Sequence, residues 1–178
     1  KGAINVYDNT ITNNTRSSVA TTVSSVTYFL YTTGQTQTLN MYGNLIDNNS
    51  AVASNGYGIM IAHIGANKNI YNNQITNISG RIGSLRGIYN ANGIGNTHIY
   101  RNRIQNLSSD ANPNPTFSTL YSVTGMQQGS GNNTYYYNNY ISQLYAPFSQ
   151  TTSAVTGITV YGVNNNFTGL YNNTIYLD

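Results

Sequence analysis

The acidic inventory of this chain is Asp8, Asp47, Asp110 and Asp178, with no glutamate. Hydrolysis of a glycosidic bond needs two carboxyl groups facing the scissile bond. Only Asp8 and Asp47 come at related points of the sequence, one residue before Asn9 and three after Asn44. Solvated corner residues are the competing explanation for both. A calcium cage takes six to eight oxygens, and four scattered aspartates do not build one. His63 and His98 stand far apart, and the chain has no cysteine, so no set of residues at metal-ligand spacing is present. The expectation is therefore no catalytic residue, no metal and no cofactor. Of the seven Lys and Arg, five lie between positions 68 and 103: Lys68, Arg81, Arg86, Arg101 and Arg103, with His98 beside them. They form either a patch for an anionic glycan or the few charges that keep a polar surface soluble.

Composition narrows the classes further. Charged residues are 6% of the 178, against about 25% in a typical soluble domain. That excludes most surface helices and coiled coils. A net charge of +3 over this length is too thin a field for phosphate-dominated nucleic-acid binding. Hydrophobic residues at 39%, with 17 tyrosines among them, are too many for a disordered polar tract. The longest apolar stretch, around Gly58–Ala66, is interrupted by His63 and is too short for a membrane span. The start at Lys1 shows no signal-peptide pattern.

What must position any site is an internal repeat. Six segments share Tyr-x-Asn-x-Ile: YDNTI from Tyr7, YGNLI from Tyr42, YNNQI from Tyr71, YRNRI from Tyr100, YNNYI from Tyr137 and YNNTI from Tyr171. The tyrosines are 35, 29, 29, 37 and 34 residues apart. The asparagines are Asn9, Asn44, Asn73, Asn102, Asn139 and Asn173; the isoleucines are Ile11, Ile46, Ile75, Ile104, Ile141 and Ile175. Between repeats run β-rich segments ending in glycine, such as TYFLYTTG, GIMIAHIG and VTGITVYG. Each period thus holds at least two short strands. No apolar period of 3.6 residues is sustained.

Alternation assigns the faces. Val6, Met41, Ile70, Ile99, Tyr136 and Leu170 precede the six tyrosines. If they point inward, the tyrosines point outward. These would then stack at roughly 4.8 Å per coil, either as self-stabilising ladders or as a surface for sugar rings or a partner. The asparagine falls at the corner, where it is expected to adopt the left-handed conformation. Its amide is expected to bond the equivalent asparagine one coil away. The isoleucine then returns to the core. The first, fourth and fifth intervals carry extra residues around Thr12–Ser25, Gln105–Ser118 and Ser142–Ser153. Pro113, Pro115 and Pro147 fit protruding loops on one side. Asn-x-Ser/Thr triplets at Asn13, Asn48, Asn77, Asn106, Asn132, Asn166 and Asn172 are those expected in an Asn-rich chain. Threonines at matching positions are broken, which disfavours an ice-binding face.

The xIYxNxI and GIxxxxG patterns resemble the right-handed parallel β-helix repeats of secreted bacterial proteins. VYDNTI and LYNNTIYL resemble repeat proteins secreted or displayed at the surface of the Bacteroidota. The resemblance covers nearly the whole chain. It implies an all-β, single-stranded right-handed parallel β-helix of about five coils, one domain over residues 1–178, with no helical cap. It does not select a function, because that fold carries lyases, hydrolases, tailspikes, adhesins and scaffolds.

The expected role is a non-enzymatic, extracellular or cell-surface structural element. It would be a fibre subunit or part of a long adhesin that self-associates end to end. The alternative is a module that binds polysaccharide or a cell-surface glycan through Tyr7, Tyr42, Tyr71, Tyr100, Tyr137 and Tyr171, with Arg101 and Arg103, or through the long loops. A polysaccharide lyase or hydrolase comes third, for want of carboxylates. No nucleic-acid partner and no membrane span are expected. Lys1 and Asp178 would meet at a head-to-tail joint, and neither terminal strand carries the cap, Pro or charge that blunts an edge.

Overall fold

The computed structural model describes residues 2–16, 26–34, 38–51, 55–81, 83–91, 95–109, 121–129, 133–161 and 167–177. No helix occurs among them. The first coil comprises β1 (Ala3–Tyr7), β2 (Thr10–Thr12), β3 (Thr15–Arg16) and β4 (Val26–Gly34). The second has β5 (Thr38–Tyr42), β6 (Leu45–Ala51) and β7 (Asn55–His63), and the third β8 (Asn67–Tyr71), β9 (Gln74–Gly80) and β10 (Leu85–Asn90). The fourth has β11 (Asn96–Tyr100), β12 (Arg103–Ser109) and β13 (Val123–Gln128), and the fifth β14 (Thr134–Tyr137), β15 (Tyr140–Tyr145) and β16 (Val155–Val160). A further partial coil adds β17 (Thr168–Tyr171) and β18 (Thr174–Tyr176). Every pairing is parallel, and three sheets run the length of a β-solenoid: β1-β5-β8-β11-β14-β17, then β2-β6-β9-β12-β15-β18, then β4-β7-β10-β13-β16. Each coil thus carries three faces.

Sequence alternation becomes packing directly. In the first sheet Val6 stands over Met41, Ile70, Ile99, Tyr136 and Leu170 in register. Met41, Ile70, Ile99 and Tyr136 are fully buried. In the second sheet Ile11, Ile46, Ile75, Ile104, Ile141 and Ile175 form the matching column, with Ile46 to Ile141 sealed from solvent.

The corner between these sheets differs from the sequence expectation. The left-handed residue is the variable one before the asparagine: Asp8, Gly43, Asn72, Arg101, Asn138 and Asn172 have φ of 52°, 66°, 54°, 54°, 56° and 49°. None of the six repeat asparagines has a positive φ. Their side chains turn inward instead. Asn44, Asn73, Asn102 and Asn139 are buried, and each Oδ1 accepts both the backbone N–H and the Nδ2 amide of the preceding coil's asparagine. The amide-to-amide distances are 2.8, 2.8, 2.9, 3.1 and 2.9 Å from Asn9 to Asn173. The second Nδ2 proton goes to a backbone carbonyl one coil back: Val6, Met41, Ile70, Ile99 and Tyr136. The backbone around the turn is tied as well, with Gln74 N donating to Asn44 O and Arg103 N to Asn73 O, both at 2.9 Å. A corner leaves strand groups without a ladder partner, and one asparagine per coil supplies them.

A second left-handed column lies along the middle of the second sheet. Asn13, Asn48, Asn77, Asn106 and Gln143 have φ of 59°, 51°, 53°, 52° and 54°. Their exposed amides form an outer ladder: Asn48 bonds Asn13 at 2.6 Å, Asn77 bonds Asp47 at 2.7 Å and Asn106 bonds Asn77 at 2.7 Å. Four of the Asn-x-Ser/Thr triplets are therefore a structural period and not a consequence of composition.

Gly58, Gly87, Gly125 and Gly157 form a column in the third sheet. A Cβ on Gly87 would lie 2.6 Å from Gly125 O and 2.8 Å from Ile104 Cγ2, and the other three meet Ile75, Ile141 and Ile175 equally closely. The core isoleucine of the second sheet fills the space a side chain would need. In the first coil Phe29 stands at this position, packed against the open end of the core.

The three longer stretches each connect the second sheet to the third. Residues 17–25 and 110–120, with Pro113 and Pro115, lie outside the described residues. Pro147 sits in a described turn closed by Ser149 N to Ala146 O at 3.1 Å. Length also varies elsewhere: residues 161–167 link β16 to β17, where 64–66 link β7 to β8.

Two substitutions test this construction. Asn73→Leu removes the acceptor of Asn44 and the donor to Asn102, and is expected to cost about 1–3 kcal/mol in urea unfolding. Gly87→Val overfills the glycine column and should cost about 1–3 kcal/mol, whereas Gly2→Val, where no atom lies within 4 Å of the added Cβ, should be close to neutral by the same measurement.

Candidate functional site

The outer face of the first sheet carries the regular array. Tyr7, Tyr42, Tyr71, Tyr100 and Tyr137 stack ring on ring, with centroids 5.1, 4.9, 5.0 and 4.8 Å apart and planes within 6°, 10°, 8° and 3° of parallel. Tyr171 is in register with Tyr137 along the strands, but its ring folds over Gly169, where an added Cβ would meet Tyr171 Cε2 at 2.5 Å. A sequence repeat cannot show that turn of the ring, because it depends on the missing side chain at Gly169.

Beside the tyrosines runs a second outward column. Asn5, Asn40 and Asn69 are joined amide to amide at 2.9 Å. The column then becomes aromatic: His98 stacks on Tyr135 at 4.9 Å, and Phe167 tilts against Tyr135 at 5.6 Å. His98 also meets Tyr137 edge to face at 6.3 Å. Partial burial holds the His98 imidazole below the ordinary histidine pKa and so favours its neutral form.

This arrangement limits the chemistry of the face. Within the stack, ring faces cover one another, so edges and hydroxyls are what a partner meets. Tyr42 and Tyr100 are held above the ordinary tyrosine pKa, first by loss of hydration and then by neighbouring phenols. For Tyr100 the Arg101 charge acts in the opposite direction. At Tyr42 and Tyr100 the fold therefore favours the neutral phenol, and the contribution of these two rings to folding falls as pH rises through their raised pKa values.

The basic residues do not form one patch. Arg101 and Arg103 are exposed at the first corner. Arg103 lies 5.5 Å over the Tyr140 ring and donates through Nε to Gln105 Oε1. Arg86 lies on the third sheet between two rings, 5.1 Å from Tyr57 and 5.5 Å from Tyr89. Its Nη1 donates to Tyr57 OH at 3.1 Å, and its Nε donates to Gln127 Oε1. Lys68 points into the solenoid, wholly buried, in the column of Leu39 and Thr97. Four of the five cations thus go to three separate surroundings, because strand alternation and the corners turn them apart, and Arg81 is exposed just after β9.

The carboxylates are separated too. Asp8 occupies a left-handed corner against Gly43, where a Cβ would meet its Oδ1 at 2.2 Å. Asp47 accepts from Thr76 Oγ1 at 2.6 Å and Asn77 Nδ2 at 2.7 Å, as a member of the outer ladder. Asp110, Asp178 and Lys1 lie outside the described residues. Among those described, no group of three His, Asp, Glu or Cys could hold a metal ion, and no helix is long and apolar enough to cross a membrane.

The Arg86–Tyr57–Tyr89 cluster was not legible as a site in the sequence. Its members share no motif: Arg86 and Tyr89 lie on β10, and strand register sets Tyr57 of β7 beside Arg86. The outer Asn13–Asn106 ladder is missed by sequence reasoning, which assigns these asparagines to composition, although Ile-x-Asn after the main motif in four successive repeats carries its signal. Comparison with protein-family models, curated proteins and solved structures finds no match to this chain.

Lys68 carries a testable consequence. Burial lowers its pKa to about 8 from 10.5, so between those values the unfolded chain holds a proton that the folded one has lost. Stability therefore rises with pH through that window. Lys68→Met should therefore shift stability more favourably at pH 7 than at pH 9.5, as read from urea midpoints at the two pH values.

Proposed function

We propose that this chain is a non-enzymatic structural and adhesive β-solenoid of the cell exterior that stacks head to tail into a fibre or forms part of a long surface adhesin. The observation that carries this reading is the matched register of the two end coils. At one end, Asn9 gives its amide to Asn44, and its own Oδ1 accepts nothing among the described residues. At the other, Asn173 accepts from Asn139 and spends Nδ2 on Tyr136 O, leaving its backbone N–H to point onward. Every coil between them joins through that same donor and acceptor. Apolar side chains at the ends match as well: Ile4 on one edge, Leu170, Ile175 and Leu177 on the other, are all exposed. Joining them would continue the core and the three sheets, a heterologous contact that propagates as a filament. The likeness of VYDNTI and LYNNTIYL to secreted surface repeats of the Bacteroidota supports an extracellular setting.

Recognition of a polysaccharide or cell-surface glycan is the second reading. It is favoured by the row of phenol edges repeating once per coil, flanked at the corner by Arg101 and Arg103. A lyase or hydrolase has the least support, since Asp47 is engaged with Thr76 and Asn77 and Asp8 stands at a different point of the coil, at the first corner.

Light scattering over a rising concentration series, with negative-stain images of the same samples, tests the main reading. Growth into filaments, blocked by Leu170→Lys, is the expected outcome. A monodisperse monomer at every concentration would refute self-stacking, and saturable oligosaccharide binding by that monomer would favour the second reading.

A further inference from the structure

We infer that the stack Tyr7–Tyr42–Tyr71–Tyr100–Tyr137 is a one-electron oxidation relay, with Tyr7 as the solvent outlet at which the chain is cross-linked through dityrosine. Three observations carry this. The five rings are in continuous near-parallel contact, 4.8 to 5.1 Å between centroids, so an electron can step from ring to ring without crossing solvent or backbone. The chain has no tryptophan and no cysteine, which leaves tyrosine as its most readily oxidised side chain toward a one-electron oxidant. Met41 and Met126, the other oxidisable groups in the core, are fully buried. Finally, the first ring of the stack is open to solvent at 52% exposure, while Tyr42, Tyr71, Tyr100 and Tyr137 are only partly exposed.

The chemistry balances with an outer-sphere one-electron oxidant of the metal-complex class. The oxidant takes one electron from a phenol of the stack, and the phenolic proton goes to water. The neutral phenoxyl is refilled by an electron from the next ring and a proton from water, while that ring's phenolic proton passes to water, so the vacancy moves along the ladder until it reaches Tyr7. When two such phenoxyls on separate copies meet, one C–C bond forms between the carbons ortho to oxygen. The hydrogens on those carbons move to the oxygens and restore both phenols. In total, two tyrosines lose two electrons and two protons. Head-to-tail stacking would cover the open face of Tyr7, so the relay is read in dilute solution, where copies are apart, and its outcome is distinct from that of the concentration series.

Tyr161 provides an internal control, since it is 55% exposed and stands outside the stack. The dilute protein is treated with a photo-oxidised ruthenium(III) polypyridyl complex, with persulfate as the terminal electron acceptor. Dityrosine is followed by fluorescence and mapped by mass spectrometry of peptic fragments. Cross-linking at Tyr7 is expected to exceed that at Tyr161 severalfold in the folded chain and to fall to parity with it in urea. Tyr42→Phe keeps a ring in the stack but removes its phenol, and should bring Tyr7 down to the level of Tyr161. Equal yields at Tyr7 and Tyr161 in the folded wild-type chain would overturn the relay, as would a Tyr7 excess that Tyr42→Phe leaves unchanged. Should that variant fail to fold, the comparison of folded and urea-unfolded wild type decides.

Discussion

The structure depends on one side chain per coil, the inward asparagine at the first corner. A parallel solenoid must turn its backbone sharply between flat sheets, and each turn interrupts the inter-strand ladder. An unpaired buried amide costs about 1–3 kcal/mol, repeated at every coil. Asn44, Asn73, Asn102 and Asn139 meet this demand in the same way, each accepting two hydrogen bonds from the coil before and donating one forward and one back. Division of labour at the corner makes this work. The left-handed strain is taken by the residue before, so the asparagine keeps an ordinary backbone and its amide is free to bridge coils.

Once the corners stack, the cross-section is fixed, and the remaining positions are chosen to fill it. The isoleucine after the corner reaches across to the third sheet, which must then carry glycine at 58, 87, 125 and 157. The third corner is filled differently, with Asn90, Thr97, Gln128 and Thr134 buried there, and Tyr136 buried in the adjoining first sheet. Asn90 reaches Thr134 at 3.5 Å and Gln128 is reached by Thr168 at 3.1 Å. Asn90 Oδ1, Thr97 Oγ1, Gln128 Nε2 and the Tyr136 hydroxyl make no hydrogen bond among the described residues. This corner is the least well satisfied part of the interior, and burial pushes the Tyr136 phenol far above its ordinary pKa.

The same ladder logic governs the surface. Amides bond amides along Asn5–Asn40–Asn69 and along Asn13–Asn48, and tyrosine faces cover tyrosine faces. Groups that would serve a ligand elsewhere are largely spent on the next coil. What is left outward is edges, hydroxyls and the open rings at the ends of the stacks, and that is why both the stacking of copies and the oxidation of Tyr7 are read from the ends of columns.

Sequence alone determined the repeat, and through it the solenoid, the inward aliphatic columns, the asparagine column and the outward tyrosines. These follow from a two-residue alternation held in phase by Tyr-x-Asn-x-Ile, a purely local property of the chain. Tertiary structure decided whatever depends on the neighbouring coil or the facing sheet. The left-handed conformation went to Asp8, Asn72 and Arg101 because the asparagine side chain was needed inside. Lys68 went into the core because its column continues Leu39. Tyr171 left the stack because Gly169 gave its ring a place to fold. Arg86 found Tyr57 only through strand register, which pairs residues 29 positions apart along the chain, and no spacing rule read along one strand contains that information.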